Sequence, residues 1–234
     1  MVAVIGDIHG CFNTLKSLFE KIKEKYPDIL IYSVGDLVDR GKYSYEVVDF
    51  IVKNQITFTA GNHDLMFYYF ISKPAHPIGK SWIYNGSETT MASYENKAGK
   101  IREHLAIIKK APLFVNTEDC FISHAGISSF YHYLFDKNIL NEPDRLNQIL
   151  LNDINSSHGV IWTRDELMDL GKLQIVGHTR KKEVFFNKRN NSLYIDTAAF
   201  SGNKLTAVVV DKSEIVDTLY VETIEDDLVG YYSR

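Results

Sequence analysis

Three short apolar runs, at residues 2–5, 29–34 and 56–60, alternate with two stretches whose apolar residues recur at spacings of three and four. Leu15, Leu18, Phe19 and Ile22 form the first helical stripe, and Val47, Val48 and Ile51 the second. Strand, helix, strand, helix, strand is the order of parallel βαβ units. This order restricts the fold more than any other feature of the chain. Parallel strands need crossover connections, and a parallel sheet gathers its ligand sites at the carboxyl edge of its strands.

Each of the three runs ends in a polar motif. The first meets Gly6-Asp7-Ile8-His9-Gly10, the second Gly35-Asp36-Leu37-Val38-Asp39-Arg40-Gly41 and the third Gly61-Asn62-His63-Asp64. Turn geometry accounts for Gly61, Asn62 and Asp64, because a turn favours such residues. It does not account for His63. The topology predicts that the three loops converge.

The chain then changes character. Residues 67–110 read as mostly helical, with Ser87 capping a helix through Tyr94 and a second stripe at Ile101, Leu105 and Ile108. This stretch reads as a helical insertion over the mouth of the site, within one domain spanning residues 1–234; helices simply packed on the sheet are the alternative. Strands resume at residues 113–115 and 120–122, the latter entering Ser123-His124-Ala125-Gly126. A helix is predicted over 144–151 and a strand over 160–164, ending in Arg164. Residues 173–176 lead into Gly177-His178-Thr179. Four later β-rich runs, at 183–186, 193–196, 205–210 and 215–221, predict hairpins and a second, more antiparallel sheet. The last ten residues carry no assignable pattern.

Composition narrows the function classes. Lys plus Arg is 26 and Asp plus Glu is 30, a net charge of −4, so no basic surplus points to nucleic acid or an anionic membrane. Arg180-Lys181-Lys182 reads as a solvated loop. The two cysteines, Cys11 and Cys120, form no Cys-x-x-Cys pattern and read as buried thiols in a reducing cytoplasm. No signal-peptide pattern is found, and no apolar run nears the ~18 residues of a membrane span.

Of eight histidines, His9, His63, His124 and His178 sit beside glycine after strands, whereas His76, His104, His132 and His158 read as surface or packing residues. With Asp7, Asp36, Asp39 and Asn62 the first four make a sulfur-free donor set, suited to Mn²⁺, Fe or Zn²⁺ better than to Mg²⁺. One ion does not need so many ligands. Two ions sharing a carboxylate account for the excess, and a two-metal site suits phosphoester hydrolysis. Arginine forks hold phosphate oxygens, with Arg40 and Arg164 the candidates. An unliganded histidine held by a carboxylate can protonate the leaving group.

The ordered series Asp7-x-His9-Gly10, Gly35-Asp36-x-Val38-Asp39-Arg40-Gly41, Gly61-Asn62-His63-Asp64, His124-Ala125-Gly126 and Gly177-His178-Thr179 resembles the calcineurin-like metallophosphoesterases. Trp82-Ile83-x-Asn85-Gly86 with Thr90 and Tyr94, Ile161-Trp162-Thr163-Arg164 and Asp196-Thr197 are similar to features of the bacterial and lambda-phage serine/threonine phosphatases, in the phosphoprotein phosphatase branch. The resemblance implies an α/β fold, a two-sheet β-sandwich flanked by helices in α/β/β/α layers. It implies that Asp7 and His9 hold one metal, that Asp36 bridges, and that Asn62, His124 and His178 hold the second. His63, oriented by Asp39, is then the general acid, and Arg40 and Arg164 grip the phosphate. The chain departs from that branch at two places: Asp64, which stands where the branch usually has Glu, is similar to the Asp of diadenosine tetraphosphate hydrolases, a group that often lacks the aspartate matching Asp39, and Ala198-Ala199 stand where glycine is common.

The expected activity is therefore metal-dependent hydrolysis of phosphomonoesters, by direct attack of a water that bridges the two metals, on phosphoserine or phosphothreonine and, as an extension, phosphotyrosine of a phosphoprotein, or on a small phosphoester. A dinucleoside polyphosphate hydrolase, with capped RNA as the one nucleic-acid substrate, is the second reading. A catalytically dead module that binds phosphorylated partners is the third; retention of all six ligand positions speaks against it.

Overall fold

The computed structural model describes residues 1–230. In chain order its strands are β1 (Val2–Ile5), β2 (Leu30–Ser33), β3 (Thr57–Phe58), β4 (Phe114–Asn116), β5 (Phe121–Ser123), β6 (Gln174–Val176), β7 (Phe185–Asn187), β8 (Ser192–Tyr194), β9 (Lys204–Asp211) and β10 (Glu214–Glu222). The α-helices are α1 (Phe12–Lys25), α2 (Ser44–Lys53), α3 (Asn62–Ser72), α4 (Pro77–Ser81), α5 (Ser87–Tyr94), α6 (Ala98–Lys110) and α7 (Pro143–Asn152).

Two five-stranded sheets form, ordered β10-β9-β1-β2-β3 and β4-β5-β6-β8-β7. In the first, β1, β2 and β3 run parallel, as the βαβ pattern requires, and β9 and β10 extend it antiparallel. In the second, β5, β6 and β8 are parallel and only the edge strands β4 and β7 are antiparallel. The two-sheet expectation holds, but the second sheet is mixed, because the β9–β10 hairpin pairs with β1 rather than with β8. The pleat explains how β1 stays buried on both faces. Val2 and Val4 meet Ile122, Ile175, Leu193 and Val208 between the sheets. Ala3 and Ile5 face outward into a cluster with Leu15, Leu18 and Ile22 of α1.

Three local expectations change. Residues 160–164 are a turn, not a strand: Trp162 and Thr163 donate their N–H to Gly159 O at 2.8 and 2.9 Å. Their buried apolar side chains mimic a strand, but Gly159 bends the chain first. Arg164 therefore leaves from a turn. Ser87 is the first residue of α5 rather than its cap; Gly86, at φ 96°, precedes the helix in left-handed geometry. The third motif, read from sequence as a turn, instead occupies the first turn of the helix after β3, which starts at Asn62.

The stretch after α3 reaches into the middle of the protein. Trp82 is fully buried, with Phe67 and Phe70 each at a ring-centroid separation of 5.1 Å. No helix among the described residues is long and apolar enough to cross a membrane.

The C-terminal stretch, unassigned from sequence, contributes one buried carboxylate. Asp227 accepts the backbone N–H of Asn13 and Thr14 at 2.9 and 2.8 Å, and Thr14 Oγ1 at 2.6 Å. These amides are orphan donors of the first turn of α1, where a negative charge also suits the helix dipole. Asp227→Ala leaves them buried and unpaired and is expected to lower stability by about 1–3 kcal/mol. The exposed neighbour Asp226→Ala should change stability by less than about 0.5 kcal/mol. Urea unfolding of the two variants checks the difference.

Candidate active site

All four strand-end histidines come together between the carboxyl ends of the two sheets. The loops that carry them hold uncommon backbone. His9, Asp36, Asp39, Arg40 and His178 have φ of 47°, 51°, 72°, 72° and 60°, in the left-handed region that side chains disfavour. Each such residue costs about 1–3 kcal/mol unless its surroundings over-determine it. Here they do. Ile8 and His9 donate to Asp36 O at 3.1 and 2.8 Å, and Gly10 donates to Leu37 O at 2.9 Å. Asp39 N–H is taken by Thr90 Oγ1 at 2.9 Å, and His178 N–H by Asp7 Oδ2 at 3.0 Å.

Asp64 is the main brace. Its carboxylate accepts the N–H groups of Asp36 and Leu37 at 2.9 Å each and of Gly61 at 3.1 Å. It thereby clamps the second motif onto the third. Two glycines let carboxylates pack against bare backbone: a Cβ on Gly61 would overlap Asp36 Oδ1, and one on Gly177 would overlap Asp7 Oδ1.

The imidazoles are oriented from behind. His9 Nδ1 lies 2.9 Å from Val38 O, His124 Nδ1 2.9 Å from Val34 O, and His178 Nε2 3.1 Å from Trp162 O. A carbonyl only accepts, so each of these nitrogens carries the proton. Burial lowers the pKa of all three, His124 to about 4, so each ring is neutral and its other nitrogen presents a lone pair. The lone pairs of His124 and His178 confront oxygens, whereas His9 Nε2 receives a guanidinium N–H of Arg40 at 2.9 Å. Asp36 Oδ2 lies 3.4 Å from both His9 Nε2 and His124 Nε2. Asn62 Oδ1 lies 2.9 Å from His124 Nε2 and 3.1 Å from His178 Nδ1.

Acceptors aimed at acceptors make sense around a cation. Ligand-capable atoms of Asp36, His124 and His178 lie within 4.8 Å of one another, as do those of His9, Asp36 and His63. Asp36 belongs to both groups. Carboxyl charge calls for cations too: burial raises the pKa of Asp7, Asp36 and Asp196, the second to about 8. The donor set therefore fits divalent cations, and Asp36 is the residue common to both groups.

His63 differs from the other three histidines. Its Nδ1 lies 2.6 Å from Asp39 Oδ2, a side chain instead of a carbonyl. Asp39 is held in turn by Trp82 Nε1 at 2.8 Å and Thr90 Oγ1 at 2.6 Å. Burial pushes Asp39 up to about 7, against the pull of those donors, and burial lowers His63. The buried pair is built to hold one proton near the site.

The cavity above this floor measures about 170 Å³ and is bordered by Arg40, Arg164, Arg180, Asn85 and Trp162. Arg40 and Arg180 lie over the Phe200 ring, 4.5 and 5.5 Å from its centroid. Arg164 donates to His178 O at 3.3 Å. All ten residues singled out from sequence thus gather here. Two others were passed over: Arg180, read as loop charge, and Asp196, noted only as part of a resemblance. The signal for both was their position near the ends of β-runs, Asp196 as the last residue of the run 193–196 and Arg180 two residues after His178. Of the remaining histidines, His104 is a buried packing residue bonded to Tyr94, and His158 pairs with Asp165.

A family model described as calcineurin-like phosphoesterase matches residues 1–188. The asymmetrical bis(5'-nucleosyl)-tetraphosphatase PrpE of Bacillus cereus (strain AH187) is 30% identical over 239 residues, covering 91% of this chain and 92% of its own. A putative diadenosine tetraphosphatase crystal structure superposes with TM-score 0.63 at 16% identity, covering 96% of this chain and 94% of that one. A cold-active protein-tyrosine phosphatase of a Shewanella species gives TM-score 0.60 at 18% identity, covering 93% and 80%. At such identities both superpositions speak for the fold alone.

Gly177→Ala tests the packing of the floor. Its Cβ must displace Asp7, so metal content and phosphoesterase activity are expected to fall at least about tenfold while the circular dichroism stays native. Gly99→Ala, where a Cβ meets nothing within 4 Å, should retain full activity. Equal activity in the two variants would contradict the account of Asp7.

Proposed function

The chain belongs to the calcineurin-like phosphoesterases and is a hydrolase of that family, which works through a dinuclear divalent metal centre; within it, we propose that the enzyme splits dinucleoside tetraphosphates asymmetrically, releasing a mononucleotide and a nucleoside triphosphate. The observation that carries this reading is the cationic border of the cavity, where Arg40, Arg164 and Arg180 face one floor. One phosphoryl group is gripped by one or two guanidinium forks. A chain of four phosphates can engage all three. The Bacillus relatives, similar along nine-tenths of this chain, support the same substrate class.

In this reading Asp7, His9 and Asp36 hold one cation, and Asp36, Asn62, His124 and His178 hold the other. Three imidazoles favour Mn²⁺, with Fe or Zn²⁺ as alternatives. Bound there, the ions supply an acidified water and stabilise charge on the attacking and leaving oxygens. Arg40 and Arg164 hold the phosphoryl oxygens, and His63, oriented by Asp39, delivers a proton to the departing oxygen. The free, buried Cys11 and Cys120 fit a cytoplasmic enzyme.

One observation favours a second reading, the hydrolysis of phosphoserine or phosphothreonine in proteins. The His63–Asp39 pair is held by three further contacts from Trp82 and Thr90. A serine alkoxide cannot leave without a proton, whereas a departing nucleotide phosphate gains much less from one.

A parallel assay with Mn²⁺ separates the readings. Diadenosine tetraphosphate should be cleaved with kcat/KM at least about tenfold above that for a phosphoserine peptide panel. His63→Asn should cost about 10²–10⁴-fold on a phosphoserine peptide and clearly less on the tetraphosphate. Faster turnover of the peptides by wild-type enzyme would reverse the order of the two readings.

A further inference from the structure

A second cavity of about 180 Å³ adjoins the first and shares Arg164 with it. Resting on the tetraphosphatase reading, we propose that this cavity is the subsite for the distal nucleoside of the substrate, with the β7–β8 hairpin as the stacking wall for its base.

The two cavities are joined by one short stretch of chain. After His178 in the metal floor, Arg180 borders the first cavity, and Thr179 and Lys181 border the second. Arg164 stands between them. Cations therefore continue past the reacting phosphoryl position, in the order Arg40, Arg164, Lys181. None of the three forms a salt bridge among the described residues. A single phosphoryl group held at the floor leaves Lys181 without use. A polyphosphate chain running out over Arg164 reaches it.

The far wall is aromatic. Phe185 and Tyr194 are cross-strand partners of β7 and β8, with ring centroids 6.0 Å apart. Lys181 Nζ sits 5.2 and 5.3 Å from the two rings. Phe185 is 47% exposed although β7 is a sheet edge, where natural proteins usually place charge. An exposed ring beside a lysine is the pairing that nucleotide sites use, a π-face for the base and a cation for the phosphate. Asp165, the one carboxylate at this cavity, is occupied by His158 and Ser128 at 2.5 and 2.8 Å. The volume is below the roughly 300–1,000 Å³ of a pocket that encloses a whole ligand. It suits one end of a long substrate.

The readout is a ratio, kcat/KM for diadenosine tetraphosphate over kcat/KM for p-nitrophenyl phosphate, measured on the full chain with Mn²⁺. Phe185→Ala is expected to lower the ratio about 5- to 100-fold, mostly through KM for the tetraphosphate, as loss of base stacking does. Phe185→Tyr should restore most of it, and Lys181→Gln should lower it with a smaller salt dependence than wild type. A ratio unchanged in Phe185→Ala, with wild-type enzyme still cleaving the tetraphosphate, overturns the subsite alone. So does a loss confined to phosphopeptides, which would make the hairpin a peptide surface. Wild-type enzyme that leaves the tetraphosphate intact overturns the functional reading and the subsite with it.

Discussion

The structure turns on one carboxylate oxygen. Asp36 Oδ2 is equidistant, at 3.4 Å, from an imidazole of each sheet, His9 beside β1 and His124 after β5. Placing it there requires that the sheets pack face to face with their carboxyl ends aligned. The interior packing of Val2, Val4, Ile122 and Val208 provides that alignment. It also requires that the loop after β2 turn back sharply, which Asp36 does in left-handed backbone. Asp64 and Gly61 exist in this frame to make that turn tolerable, one by accepting the loop's amides and the other by having no Cβ. Residues that do no chemistry thus determine where the chemical ones stand.

Stability and function pull in different directions at this floor. Buried like-charged carboxyls and left-handed side-chain-bearing residues both cost free energy. The surrounding core offsets that cost: α3 is buried along its first seven residues, and Trp82 and Phe67 stack behind Asp39. Asp227, in the stretch after β10, returns to brace the helix that follows the first motif. A scaffold rigid on both sides can hold acceptors against acceptors, an arrangement a looser chain would relax.

Much of this was legible in the sequence because the signal was repeated. Four histidines beside glycines after strands mark the carboxyl ends of strands, and periodicity 2 or 3.6 fixes the strands and helices between them. What escaped is instructive. Arg180 lies in a basic triplet, and adjacency of like charges carries no information about which one borders the cavity. Arg164 follows an apolar run that reads as a strand; only Gly159, two residues before Ile161, hints at the turn. The partner of the β9–β10 hairpin depends on which sheet edge is free, a property of the assembled fold and not of the hairpin's own residues. Asp227 pairs with Asn13 and Thr14 across more than 200 positions, a contact that no local pattern encodes.

The most direct test of the central position of Asp36 is the metal content of purified protein saturated with Mn²⁺ and then desalted. The account predicts two ions per chain in the wild type. It predicts loss of both in Asp36→Asn, which weakens the shared ligand, and loss of about one in His124→Ala. Two ions retained by folded Asp36→Asn would contradict it, because the carboxylate would then bridge nothing.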